Sequence, residues 1–196
     1  TDFVAKNEGF VALTKAILDA AVAAKAKSLD EVKALEVNGR NVADLIVEEI
    51  GKTGEKMELG AYEWLEGAGT TCYDHLGNKL SCIATFTKPV ERQVGRNVAM
   101  QIASMNPISV GRDSVPADVV EKELEIAREK ARQEGKKEEM LDKIAQGRLN
   151  KFYKESCLLE QEYIMDPALT IEKYLKGVDG DLTVCAFKRV NLNVDP

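Results

Sequence analysis

Residues 69–87, GTTCYDHLGNKLSCIATFT, decide the fold class of this chain. Two runs rich in strand-forming residues, 69–75 and 79–87, flank Leu76-Gly77-Asn78, whose composition is that of a tight turn. Two strands that are joined by a tight turn pair in the antiparallel sense. The stretch therefore predicts an antiparallel hairpin.

Helical patterns lie on both sides of this hairpin. Apolar residues recur every three or four positions over residues 3–25 and 40–53 before it, and over 90–104 after it. Ser28 and Glu31 have the S-x-x-E spacing of a capping box, which predicts the start of a short helix. Further predicted elements are a strand near 57–59, a helix at 170–176 and a strand at 182–187.

These elements predict an α+β fold with antiparallel strands. We expect a core of two small subdomains, each with helices on an antiparallel sheet, at residues 1–89 and 90–196. A chain of 196 residues buries enough surface to fold without a disulfide or a metal.

Residues 117–155 have a composition of their own, with ten acidic and ten basic side chains in 39 positions. Two narrow apolar stripes run along this segment, on either side of a break at Gly135. A narrow seam with dense mixed charge elsewhere is typical of two helices that pack against each other in water. We expect an antiparallel coiled-coil hairpin that projects from the core over about 116–155. The alternative is a pair of ordinary surface helices.

The charge balance disfavours some classes of partner. The chain has 27 Lys and Arg against 33 Asp and Glu, a formal net charge of −6. Nucleic-acid binding needs a basic face, so we expect no direct nucleic-acid partner. No apolar run approaches the roughly 18–20 residues of a membrane span, so we expect no membrane partner either. The sequence opens with Thr1 and has no signal-peptide pattern, which predicts a processed protein or one that begins inside a longer chain, in the cytoplasm.

No pattern of metal ligands or catalytic groups is complete. The only histidine is His75, and the four cysteines form no C-x-x-C pair. Gly51-Lys52-Thr53 resembles the end of a phosphate-binding loop, but the glycine required at position 46 is Ile46. A cysteine nucleophile would depend on His75, without a clear third residue to orient it. We predict no metal, no cofactor and no enzymatic activity, with the cysteines reduced.

Residues 1–8, TDFVAKNE, resemble the signature of the elongation factor Ts family, the guanine-nucleotide exchange factors of bacterial elongation factor Tu. Other segments resemble that family in the same order along the chain. They are 54–59 (GEKMEL) with 65–67 (LEG), 73–77 (YDHLG), 115–117 (VPA), 147–152 (GRLNKF) and 163–167 (YIMDP). The resemblance implies a protein that promotes GDP release from elongation factor Tu during translation. It also implies that the family's small N-terminal helical (UBA-like) module is absent from this sequence.

The resemblance implies contacts for particular residues. Asp2 and Phe3, at the tip of the first helix with Thr1 and Val4, would intrude beside the Mg²⁺ and switch region of the GTPase. His75 would be a second contact to the GTPase domain. The remaining implied contacts are Met57 and Leu59 on the GTPase domain, and Ile164 and Met165 on its β-barrel domain.

Five of these residues also have a purely structural interpretation. Asp2 would be a helix N-cap and Phe3 a core residue. His75 would be an exposed turn residue, while Ile164 and Met165 would fill the core. Two other functions stay open: a scaffold or chaperone-like module that uses the charged hairpin, and a small cysteine enzyme built on His75.

Overall fold

The computed structural model of the protein describes residues 1–75 and 77–193. It contains two units, Thr1–Trp64 and Leu65–Pro196. The helices of the first unit are α1 (Asp2–Ala5), α2 (Glu8–Ala24), α3 (Leu29–Lys33) and α4 (Val42–Thr53). Its two short strands are β1 (Glu36–Val37) and β2 (Arg40–Asn41), which pair in the antiparallel sense.

The single helix predicted over 3–25 is wrong, because the helix is interrupted between α1 and α2. Asn7 has an extended backbone, and its Oδ1 accepts hydrogen bonds from the backbone N–H groups of Gly9 and Phe10. Asparagine is among the best N-caps, so it starts a new helix here instead of continuing the first. The helix predicted at Ser28 is confirmed, with the Ser28 hydroxyl accepting from the Glu31 N–H.

Residues 54–68 lie outside helices and strands, so the strand predicted at 57–59 is wrong. Met57 and Leu59 are half-buried and the residues between and beside them are exposed, which explains the alternating pattern. Leu59 packs against the small core of this unit. The buried members of that core are Ile17, Ala21, Ala26, Val32 and Val42.

The sheet of the second unit confirms the hairpin. Strands β3 (Gly69–Asp74) and β4 (Leu80–Phe86) pair antiparallel, with Thr71 opposite Ala84. Of the predicted turn, Leu76 lies outside the described residues, while Gly77 and Asn78 have φ angles of 86° and 54°.

The remaining helices and strands of this unit follow β4 along the chain. Helix α5 (Arg92–Met105) packs against β3 and β4. The others are α6 (Ala117–Gln133), α7 (Leu141–Ser156), β5 (Glu162–Tyr163), β6 (Asp166–Thr170), α8 (Ile171–Val178) and β7 (Val184–Asn191). Strand β7 pairs antiparallel with β4, so the order is β3-β4-β7. The largest buried side chains of the core include Phe86, Ile102, Leu158, Ile171 and Leu175.

The pairing of β4 with β7 also explains the division of the chain. The sequence placed a boundary between residues 89 and 90, whereas the two units divide between Trp64 and Leu65. A boundary at 89 would separate β4 from its partner strand, so residues 65–89 belong with the C-terminal unit.

Helices α6 and α7 pack against each other through small and aliphatic side chains. The buried residues along their contact are Ala127, Ala131, Leu141, Ala145 and Leu149. Ion pairs between Arg128 and Asp142 and between Arg148 and Glu134 flank it. The mixture of helices and antiparallel strands confirms the α+β fold class. Every helix among the described residues is too short or too polar to span a lipid bilayer.

Candidate functional site

Helix α1 is only one turn long and is held by contacts at its first residue. The Thr1 hydroxyl accepts a hydrogen bond from the Val4 N–H at 3.3 Å and donates one to Glu55 Oε1 at 2.7 Å. Because Val4 is buried, the turn has a fixed orientation within its unit.

The same turn leaves Phe3 in solvent, with 83% of its surface exposed. The core interpretation of Phe3 is therefore wrong. Asp2 lies in the first turn of α1, and Thr1 takes the N-cap position that the structural interpretation gave to Asp2. Exposing an aromatic ring forgoes about 1.5–3 kcal/mol of burial energy, so an exposed Phe on a fixed turn is a candidate contact for another molecule.

An open groove of about 370 Å³ lies beside Phe3. It is lined by Phe3, Val4, Asn7, Gly9, Glu49, Lys52, Thr53 and Glu55. Glu49 is buried at its base, and its carboxylate lies 3.8 Å from Lys52 Nζ. Lys52 also pairs with Glu48 at 2.7 Å, which raises the pKa of the lysine. The groove is thus a charged, hydrogen-bonded surface beside an apolar projection.

His75 extends from the end of β3 and is exposed, but its ring has a partner. The Tyr73 hydroxyl lies 3.0 Å from His75 Nδ1. The backbone N–H of His75 donates to the Leu80 carbonyl at 2.9 Å. The Arg96 guanidinium lies 5.3 Å from the centre of the Tyr73 ring, a cation–π distance. The ring of His75 is therefore held at the edge of the sheet, and its Nε2 has no hydrogen-bond partner among residues 1–75 and 77–193.

Ile164 and Met165 lie between β5 and β6. Met165 is 60% exposed, so it does not fill the core. Ile164 is also exposed, to a smaller extent. The Ile164 N–H donates to Oε1 of Gln101, a fully buried amide on α5, at 2.9 Å. The neighbouring Tyr163 is buried and stacks on Tyr174 with 4.4 Å between ring centroids. The turn is fixed from beneath and presents two apolar side chains outwards.

The four cysteines are free thiols that differ in burial. No cluster of three or more potential metal ligands occurs within residues 1–75 and 77–193. Cys72 and Cys185 are exposed free thiols, whereas Cys82 and Cys157 are buried free thiols. Burial raises the pKa of Cys82 to about 11, so this thiol stays protonated at neutral pH. Thr53 and its neighbours form the last turn of α4, which is not the loop that a phosphate-binding motif requires.

Sequence reasoning missed the residues that hold the exposed ones. Glu55 lies 54 positions from Thr1, and only the fold brings them together. Tyr73 was quoted within a motif, but nothing in the sequence indicated its bond to His75. Gln101 occupies a position with helical apolar periodicity, and a polar residue at such a position is the one available signal.

Comparison with known proteins finds matches along nearly the whole chain. The family model described as Elongation factor TS matches residues 1–193. A protein named Elongation factor Ts from Porphyromonas gingivalis is 51% identical over 196 residues, which cover 100% of this chain and 72% of that protein. Proteins of the same name from Azobacteroides pseudotrichonymphae and Amoebophilus asiaticus are 50% and 45% identical, over 100% and 97% of this chain and 72% and 70% of their own lengths.

Proposed function

The chain belongs to the elongation factor Ts family of translation elongation factors, and we propose that it promotes GDP release from elongation factor Tu. One observation carries this proposal: Phe3 is 83% exposed on a helical turn that Thr1, Val4 and Glu55 hold in place. Phe3 and Asp2 would enter the GTPase beside its Mg²⁺ and switch region. An aromatic ring and a carboxylate on one rigid turn are suited to displacing a loop and disturbing a cation site.

The energetics of exchange require no covalent chemistry by this protein, and we therefore propose that it is not an enzyme and uses no cofactor. Linkage makes the two binding events reciprocal. If this protein weakens the binding of GDP to the GTPase by some ratio, GDP weakens the binding of this protein to the GTPase by the same ratio. A thousandfold acceleration of GDP release corresponds to about 4 kcal/mol at 1.36 kcal/mol per tenfold. Binding energy from a broad interface can supply that amount.

Further contacts would supply this binding energy from separate parts of the chain. His75 would contact the GTPase domain, with its ring oriented by Tyr73. Ile164 and Met165 would dock on the β-barrel domain of the partner. The remaining proposed contacts are Thr1 and Val4 at the first helix, with Met57 and Leu59 in the segment after α4. The half-burial of Leu59 against its own core gives that residue a structural role as well.

The setting of this activity is part of the proposal. We place the protein in the cytoplasm, with elongation factor Tu as its partner and with neither nucleic acid nor a membrane bound directly. Helices α6 and α7 would form a coiled-coil projection from the core, since their buried seam is narrow and their other faces are charged.

Stopped-flow fluorescence tests the proposed function. Elongation factor Tu loaded with fluorescent GDP is mixed with this chain and excess unlabelled GDP, and the rate of fluorescence loss is followed against chain concentration. We expect the rate to rise and saturate. An unchanged rate at a concentration where binding is shown by calorimetry would favour the scaffold function, while no binding would remove the partner as well.

A further inference from the structure

The outer edge of strand β3 has unpaired backbone groups. The His75 N–H donates to Leu80, and the register places Tyr73 opposite Cys82. Hydrogen-bonded pairs alternate along an antiparallel ladder, so the backbone groups of Thr70 and Cys72 point away from β4. β3 is an edge strand of the sheet, and among the described residues these outward-pointing backbone groups have no hydrogen-bond partner.

A groove runs along this edge between β3 and the first turns of α5. It has a volume of about 490 Å³ and is lined by residues 70–74 of the strand, with Val90, Arg92, Gly95 and Arg96 opposite. Gly95 allows the close approach of the two elements, because a Cβ there would lie 3.0 Å from Thr71 Cβ. The groove thus has a strand edge on one wall, a helix on the other and an apolar contribution from Val90.

The charge on the helix wall is positive in a chain of net negative charge. Arg92 and Arg96 lie one helical turn apart and are both exposed. Arg92 has no ion-pair or hydrogen-bond partner among the residues that the structure describes, and Arg96 contacts the Tyr73 ring. The acidic residue of the groove, Asp74, bonds to the Ser81 hydroxyl.

The geometry points to this groove as a docking site for an extended peptide that adds a strand to β3 and carries carboxylates facing α5. A strand edge beside a helix is the arrangement that binds peptides by strand addition, where main-chain bonds supply affinity and side-chain contacts supply specificity. Free edges are usually blocked in proteins, and this one has neither a proline nor a lysine along β3. The acidic character of the peptide follows from the free Arg92. The groove contains none of the residues proposed to contact elongation factor Tu, although it is lined by Tyr73, which orients the ring of His75.

The test is selection from a phage-displayed library of random octapeptides on the full chain, followed by affinity measurement with synthetic, fluorescein-labelled peptides. We expect the selected peptides to carry Asp or Glu at alternate positions and to bind saturably. Cys72→Pro removes an outward N–H that the fold itself does not use, and proline is tolerated at such edge positions. It should weaken binding about tenfold, as loss of one hydrogen bond does.

Matched variants separate the parts of this proposal. Cys72→Ala keeps the N–H and should bind as the wild type does. Arg92→Gln should weaken acidic peptides about threefold, the effect of one exposed ion pair, whereas Arg128→Gln on α6 should change nothing. In the wild-type complex, amide exchange should slow at Thr70 and Cys72 but not at Tyr73, a readout that needs no variant. Failure to select any peptide, equal binding by Cys72→Pro, or protection elsewhere would each overturn the proposal, while GDP release by Cys72→Pro should stay unchanged.

Discussion

Phe3 and Phe86 are two phenylalanines in opposite environments. Phe86, the last residue of β4, is 1% exposed in the core of the second unit, whereas Phe3 is 83% exposed on a single helical turn. The fold depends on Phe86 for packing, and it holds Phe3 out by contacts made through Thr1, Val4 and Glu55. The first unit therefore uses backbone and polar contacts to present an apolar side chain to solvent.

Phe86→Ala should have the largest effect on stability. Removing a fully buried ring leaves a cavity, so we expect the free energy of unfolding to fall by about 3–5 kcal/mol. Urea denaturation followed by circular dichroism measures this. A loss below about 1 kcal/mol would show that the core of the second unit does not depend on Phe86.

Phe3→Ala should change stability little and nucleotide exchange strongly. The free energy of unfolding should change by less than about 0.5 kcal/mol, because the ring makes little contact with its own chain. Stimulated GDP release from elongation factor Tu should slow roughly thirtyfold, the equivalent of an interface anchor worth about 2 kcal/mol. Stability loss comparable to that of Phe86→Ala would contradict the comparison.

Glu55→Gln tests whether the turn must be held. The amide keeps the size of the side chain but accepts a hydrogen bond from the Thr1 hydroxyl more weakly than the carboxylate does. We expect a roughly fivefold slower exchange, because a turn that is held less firmly leaves Phe3 mobile. The control is the double variant Glu55→Gln/Phe3→Ala. It should be no slower than Phe3→Ala alone, and additive effects would mean that Glu55 acts independently of the ring.

Met165→Ala and Met140→Ala are a matched pair of exposed methionines, 60% and 46% exposed respectively. Met165 lies on the fixed turn between β5 and β6, while Met140 precedes α7. Truncation of Met165 should weaken binding to elongation factor Tu by about threefold to tenfold in calorimetry, as loss of a partly buried interface side chain does. Met140→Ala should bind as the wild type does, and equal losses would deny Met165 a specific contact.

Burial of Cys82 predicts how the free energy of unfolding depends on pH. Burial raises the pKa of Cys82 to about 11, so the folded state binds this proton more tightly than the unfolded state does. The stabilisation is present below the ordinary thiol pKa, about 8.5, and is lost as pH rises towards the folded value. A Cys82→Ala variant should show a smaller decline in the free energy of unfolding between those limits. At pH 8, thiol titration should modify Cys72 and Cys185 first, and equal reactivity of Cys82 would contradict its burial.

The sequence predicted those features that depend on local patterns. The hairpin of β3 and β4 followed from strand propensity around a turn, and α6 and α7 followed from apolar stripes around Gly135. The break at Asn7 was missed because side-chain capping there prevails over helical periodicity. The hairpin of β1 and β2 was also missed, although Asn38-Gly39, with φ angles of 53° and 77°, is a strong turn signal.

The candidate site was harder to predict for a physical reason. The residue type of Phe3 favours burial, and only the family resemblance indicated a role at the surface. Its exposure depends on contacts between Thr1 and Glu55 that span 54 positions, and such contacts leave no periodic signal. The same holds for the bonds of Gln101 to the turn at Ile164.

The most direct measurement is photo-crosslinking from position 3. Phe3 is replaced by the photoreactive aromatic p-benzoyl-phenylalanine, the chain is bound to elongation factor Tu, and the crosslinked peptides are identified by mass spectrometry. Our account predicts crosslinks to the nucleotide-binding domain of the GTPase, at the segments that surround Mg²⁺ and the phosphates. Crosslinks confined to this chain itself, or to the partner far from the nucleotide, would contradict it.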